Sequence, residues 1–362
     1  MKNKAMVLES FNKPLVMRET EIPALKPGEV LIKLTASGVC GSDLHMYRGE
    51  DPRTRLPIIL GHEGVGIIAD ISGKKNSVEG EKLQISDPVM WNRGYTCGEC
   101  YYCKVLKQPS WCPNRKTMGI NIFPTSEAPL TGCYSEYIIL QKHADIFKLP
   151  EGLDHAALVA ASCSGSTIAH AFMEAAPQPG DTVVVQGPGP LGLFAVAFAK
   201  AHGAQNIFVI GGSPSRMEIC TKFGATHLLN RRETTIAERR DIVLEATHGR
   251  GADYVIECTG IPDAFVEGIE LCRIGGAYVC TGYAQPLGDV VIDPFKHVVR
   301  RNIRLHGVWV SQTEHTYQAL QMVLQNPDLF AQIVTHRLPL AQANEALELI
   351  AKKQALKVIL QG

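Results

Sequence analysis

A chain of 362 residues is long for one domain and sufficient for two, and it can bury enough apolar surface to hold together without disulfides. Its 36 basic and 36 acidic residues cancel, which leaves no one-signed charge of the kind a nucleic-acid or anionic-membrane binder carries. No apolar run reaches the ~20 residues of a membrane span, and Met1–Thr20 lacks a signal-peptide core, so a cytoplasmic protein with no membrane or nucleic-acid partner is expected.

The first ~150 residues are short β-type runs broken by Gly and Pro, as in Glu29–Ala36 and Gly64–Ile71. Near Ala156 the pattern changes. Thr182–Gln186, Ile207–Ile210, Tyr254–Glu257 and Ala277–Thr281 read as buried strands, with helices at Leu191–His202 and Arg216–Phe223 between them. Such alternation predicts a parallel, doubly wound sheet. The tail, with a helix over Ala341–Lys353 and a strand over Leu356–Leu360, resembles the first half again. An α/β protein is therefore expected in which the doubly wound domain, 165–307, is inserted into a β-rich domain formed by 1–164 and 308–362.

The segment Gly187-Pro188-Gly189-Pro190-Leu191-Gly192 is a G-x-G-x-x-G placed directly after a strand and opening a helix. Its glycines allow a tight turn and close approach to a pyrophosphate, which the helix N-terminus then favours. An NAD site commonly has an acid at the end of the next strand, but here that end reads Gly211, Gly212, Ser213, Pro214, Ser215, Arg216. Without the carboxylate, a 2′-phosphate is not repelled, and Ser213 and Arg216 are candidates to contact it. NAD and NADP both stay open.

Cys97, Cys100, Cys103 and Cys112 supply four thiols within sixteen positions, the pattern of a closed tetrahedral zinc site in a lobe near 92–115. Cys40 (in GVCGSDLH), His62 (in GHEG) and Cys163 (in ASCSG) are further metal-ligand types, but their spacing alone does not join them. A catalytic zinc needs three protein ligands and an open position. Taken singly, Cys163 reads as a small buried apolar residue, as do Cys133, Cys220, Cys258, Cys272 and Cys280.

In the joint order of GVCGSDLH, GHE, the CxxCxxC cluster, the Cys163 segment, GPGPLG and the closing LKVIL, the chain resembles the zinc-containing medium-chain dehydrogenase/reductase family, the alcohol dehydrogenases. The resemblance implies a GroES-like β domain that holds zinc and a Rossmann domain that holds NAD or NADP. It makes Cys40, His62 and Cys163 the ligands of the catalytic zinc, with Glu63 a carboxylate beside them and Asp43 the acceptor that orients the histidine. Ser42 becomes the hydroxyl that accepts the substrate proton, His45 the outer end of the proton relay, and Lys357 a contact to the cofactor pyrophosphate. The implied reaction is reversible hydride transfer between an alcohol and NAD(P)+, and the implied assembly is a homodimer or homotetramer.

Three departures stand out. Cys103 and Cys112 are separated by eight residues where seven is usual, Gly41 replaces an arginine found in some relatives, and the Rossmann acid is missing. The alternatives are a polyol or sorbitol-type dehydrogenase, a zinc-independent quinone or enoyl reductase of the same superfamily, and a non-enzymatic zinc-ribbon module. Substrate identity is not legible: Tyr47, Trp91 and Trp309 read as core or interface as readily as pocket.

Overall fold

The structure, a computed structural model, describes residues 1–362. It divides into two compact units: Met1–Cys163 with Ser311–Gly362, and Ser164–Val310. Because the second unit interrupts the first, the closing segment must supply strands to a sheet begun some 300 residues earlier.

The first unit is built on a seven-stranded sheet around the long strand Val30–Val39. That strand pairs antiparallel with Gly64–Ile71 on one side, and its two halves pair on the other with Tyr137–Leu140 and with the C-terminal strand Lys357–Gln361. Register shifts after Leu31 and Leu34 bend it, as extra residues in one strand of a pair do. It runs three residues beyond the expected end at Ala36, because Ser37–Val39 gain partners in Leu360–Val358, which local sequence cannot reveal. One core cluster joins Leu8, Val39, Met46, Tyr134 and Leu360; another joins Ile32, Trp91, Ile138 and Ile146. Trp91 is thus core, whereas Trp309 is half exposed.

The second unit is a six-stranded, all-parallel sheet in the order His227–Asn230, Asn206–Gly211, Thr182–Gln186, Ala252–Glu257, Cys272–Cys280, Arg304–Gly307. The central strand Thr182–Gln186 is buried at every position, as parallel strands covered by helices on both faces are. Helices Pro190–Ala201 and Pro214–Phe223 fall close to the expected spans, each with Pro at its first position, where a missing N–H costs nothing. Cys272–Cys280 starts five residues before the expected Ala277. Its Gly275 has φ +71°, and the extra residues between Cys272 and Ala277 form a bulge against Ala252–Tyr254. No single helix in either unit is long and apolar enough to cross a membrane.

Candidate active site

Three neighbouring strands of the first unit bring the metal-ligand residues together. Val30–Val39 ends at Cys40, which starts the helix Gly41–Arg48. Ser37 pairs with Gly64, so His62 and Glu63 run back alongside Gly38 and Cys40, and the Gly38 N–H donates to the Glu63 carbonyl at 3.0 Å. On the other side Val358 pairs with Val39, which sets Lys357 next to Cys40. Cys163 follows the short turn Val159–Ser162. The potential ligand atoms of Cys40, His62, Glu63 and Cys163 lie within 4.8 Å of one another.

Cys163 Sγ is 3.5 Å from His62 Nε2. Tetrahedral zinc with bonds of ~2.3 Å to sulfur and ~2.0–2.1 Å to nitrogen gives a sulfur–nitrogen edge of about 3.6 Å, so the donor set fits the ion. The other ring nitrogen, Nδ1, is 3.2 Å from Asp43 Oδ1, which leaves Nε2 to face the thiols. Asp43 is fully buried and further accepts the N–H of Cys40 (2.8 Å), the hydroxyl of Tyr134 (3.1 Å) and the N–H of Gly61 (3.3 Å). Burial pulls the His62 pKa down, but the Asp43 carboxylate and the Cys40 thiol outweigh it and raise it to about 9. The Cys40 thiol is lowered well below its ordinary value by the hydrogen bond from Cys163, with burial opposing and the charges of His62 and Lys357 assisting.

Glu63 and Lys357 form a buried ion pair at 2.5 Å, both side chains at most 2% exposed. Burial pulls the Lys357 ammonium down, yet the negative charges of Glu63, Cys40 and Cys163 hold it above the ordinary lysine value. Lys357, expected to contact a cofactor phosphate, has Glu63 as its partner within the chain. A Cβ on Gly38 would overlap Glu63 Oε2 and lie 2.7 Å from Val159 Cγ1, so only glycine leaves room for the pair. Ser42 Oγ is 3.9 Å from Cys40 Sγ, and His45, one helical turn on, is partly exposed and bonded through Nδ1 to Glu50 at 2.5 Å. Sequence reasoning missed Arg93, whose Nη1 is 2.8 Å from Cys163 Sγ, and Tyr134. A buried arginine beside a distant cysteine leaves no trace in spacing.

The second cluster also converges. Cys112 Sγ lies 3.6 Å from Cys97 Sγ and 3.9 Å from Cys100 Sγ, close to the ~3.8 Å sulfur–sulfur edge of a tetrahedral zinc–thiolate site. All four sulfurs are within 4.8 Å. The eight-residue spacer is taken up by Lys107, at φ +57°, and the turn Pro109–Trp111. N–H groups of Glu99 and Cys100 lower the Cys97 thiol to about 6, which favours the thiolate a metal needs.

In the second unit, Gly187 (φ +107°) makes the turn after Thr182–Gln186, Gly189 caps the helix Pro190–Ala201, and Leu191 lies in its first turn. A Cβ on Gly192 would overlap the Gly187 carbonyl, so helix and turn touch there. One on Gly211 would be 2.7 Å from Pro188. Ser213 caps Pro214–Phe223, and burial lowers the pKa of the half-buried Arg216. At Gly212, a Cβ would lie 3.0 Å from Arg231 Nε and 3.3 Å from Arg232 Nε. These two arginines follow the neighbouring parallel strand His227–Asn230, and strand pairing alone brings them here.

Comparison with known proteins agrees with both halves. Residues 26–151 match the model of the alcohol dehydrogenase GroES-like domain, and residues 190–325 that of the zinc-binding dehydrogenases. A crystal structure of an alcohol dehydrogenase from Thermotoga maritima is 48% identical, with a TM-score of 0.97 over 100% of this chain and 99% of that one. A 5-exo-hydroxycamphor dehydrogenase of Pseudomonas putida is 33% identical over 94% of each chain. A sorbitol dehydrogenase of Bacillus subtilis is 31% identical over 98% of this chain and 96% of its own. The chain therefore belongs to the zinc-containing medium-chain dehydrogenases. It is an oxidoreductase that transfers hydride reversibly between an alcohol and NAD(P)+, giving an aldehyde or ketone, with zinc and a nicotinamide dinucleotide as cofactors.

Proposed function

We propose that Cys40, His62 and Cys163 hold the catalytic zinc, that Glu63 is a carboxylate able to approach it, and that Cys97, Cys100, Cys103 and Cys112 hold a structural zinc. The convergence of each donor set within 4.8 Å supports this. Bound among the first set, zinc supplies Lewis acidity that makes the substrate hydroxyl easier to deprotonate. Asp43 fixes the tautomer and orientation of His62. Ser42 accepts the hydroxyl proton, and His45, one turn along the same helix and partly exposed beside Glu50, releases it to water. The balance is alcohol plus NAD(P)+ giving carbonyl, NAD(P)H and one proton. Zinc analysis together with single-turnover NAD(P)H formation tests the assignment. Full turnover in Cys40→Ser would overturn it: with both zincs retained, Cys40 is not a ligand, and with one zinc lost, the zinc-independent reading is restored.

The turn Gly187–Gly192 is proposed to hold the pyrophosphate, and Gly211, Gly212 and Ser213 to border the adenosine ribose. NADP+ is the preferred form, supported by the lack of a carboxylate at this strand end and by Arg231 and Arg232 flanking Gly212, with Arg216 in the helix that follows. Self-association into a homodimer or homotetramer is proposed through the edge strand Arg304–Gly307, where Leu305 is exposed, with Phe295 and Val299 also exposed in this unit. Light scattering on the purified chain tests it, and a monomer would refute it. A cytoplasmic location accords with eleven cysteines of which none forms a disulfide.

A further inference from the structure

Arg115 is 7% exposed, and its Nε, Nη1 and Nη2 are all buried without a hydrogen-bond partner. No carboxylate forms an ion pair with it. Its guanidinium lies over Gly94, where a Cβ would overlap it, in the two-stranded ribbon formed by Gly94–Tyr95 and Lys116–Thr117. Its backbone is pinned, since Asn121 Nδ2 donates to the Arg115 carbonyl at 3.2 Å and the Arg115 N–H donates to the Cys112 carbonyl at 3.3 Å.

Arg93 precedes Gly94 and is also 7% exposed. Its Nη1 reaches Cys163 Sγ at 2.8 Å, so this guanidinium borders the catalytic metal-ligand set, while its Nε is buried without a partner. Both Arg93 and Arg53 stand close enough for their positive charges to act on Arg115. Arg53 is engaged by Asp51, but no carboxylate pairs with Arg93 or Arg115; the negative charges that reach them are the thiols of Cys163 and Cys112.

Burying a guanidinium without hydrogen bonds or a paired carboxylate is costly, and a pair of them beside a reaction centre is more so. The cost is offset when a ligand brings the missing charge. A guanidinium fork matches the paired oxygens of a carboxylate or phosphate. We propose that the alcohol oxidised here carries an oxyanion, a carboxylate or phosphate a few carbons from the reacting hydroxyl, and that Arg115 with Arg93 determines this specificity. The proposal rests on the alcohol dehydrogenase activity and on the assigned catalytic zinc site. Cys163 alone accounts for one nitrogen of Arg93; the Cys112 thiol attracts Arg115 by charge, but no group in the chain hydrogen-bonds any of its three guanidinium nitrogens.

The test uses the zinc-loaded full chain with NAD(P)+ and matched substrates: sorbitol as the neutral polyol, gluconate as its carboxylate partner and sorbitol 6-phosphate as its phosphate partner, with 1,3-butanediol against 3-hydroxybutanoate as a shorter pair. At least one anionic member is expected to exceed its neutral partner at least ~10-fold in kcat/KM, and which one separates carboxylate from phosphate. Arg115→Met is expected to cut the anionic-to-neutral ratio ~10- to 100-fold, mostly through KM, with Arg115→Lys intermediate. A second readout is independent of turnover: acetate and inorganic phosphate titrations should raise the melting temperature of the wild type, and not that of Arg115→Met. Neutral substrates used as well as anionic ones, an unchanged ratio in Arg115→Met, or loss of the cysteine-cluster zinc in that variant would each overturn the proposal. If no alcohol is turned over, the reaction assignment fails, and the anion titrations still decide the role of Arg115.

Discussion

Replacing Lys357 by Met isolates the buried pair at the centre of the site. The ammonium lies 2.5 Å from Glu63 and both side chains are at most 2% exposed, so neither can turn to water. Removing one member of such a pair costs about 3–5 kcal/mol, because the remaining charge is stranded. With an unfolding slope near 3 kcal/mol/M, the urea midpoint of the first unit should fall by roughly 1–1.7 M. Trp91, in the core of that unit, provides a fluorescence reporter. The double variant Glu63→Gln with Lys357→Met strands no charge and should regain most of the loss, to within about 1–2 kcal/mol of wild type. A single variant costing under ~1 kcal/mol, or a double variant as unstable as the sum of its singles, would refute the reasoning.

Other outcomes follow from the same geometry. Gly38→Ala puts a methyl group against Glu63 Oε2 and Val159, and is expected to lower stability by about 1–3 kcal/mol in thermal melts and to reduce activity with it. Asp43→Asn removes the charge that orients His62, and should weaken zinc binding about 10- to 100-fold in chelator competition, with an unchanged affinity counting against the orienting role of Asp43. Cys112→Ser should take bound zinc, by elemental analysis, from two ions per chain to one, since two donor clusters are present and only one includes this residue. Arg231→Ala and Arg232→Ala should each reduce kcat/KM for NADP+ by roughly 10-fold or more while sparing NAD+; equal loss with both cofactors would discard the 2′-phosphate assignment.

Local sequence determined the elements whose signals are local. The strand Gly64–Ile71 and the central strand Thr182–Gln186 were legible end to end, because apolar runs bounded by Gly or Pro carry their own limits. The four-cysteine cluster and the G-x-G-x-x-G turn were legible because each draws its function from one short stretch of backbone. The placement of Cys163 beside His62 was not: the two stand 101 positions apart, and only the motif order of a family joined them before the fold did.

Tertiary structure alone decided what depends on pairing between distant strands. It set Lys357 beside Cys40 through the register of Val358 with Val39, and paired its charge with Glu63. It brought Arg231 and Arg232 to Gly212 across a parallel strand pair, and left Arg115 buried over Gly94 with no hydrogen bond to its guanidinium. Composition counts charges but does not say which are paired. A buried charge acquires meaning only from what surrounds it, and those surroundings come from segments far apart in the chain.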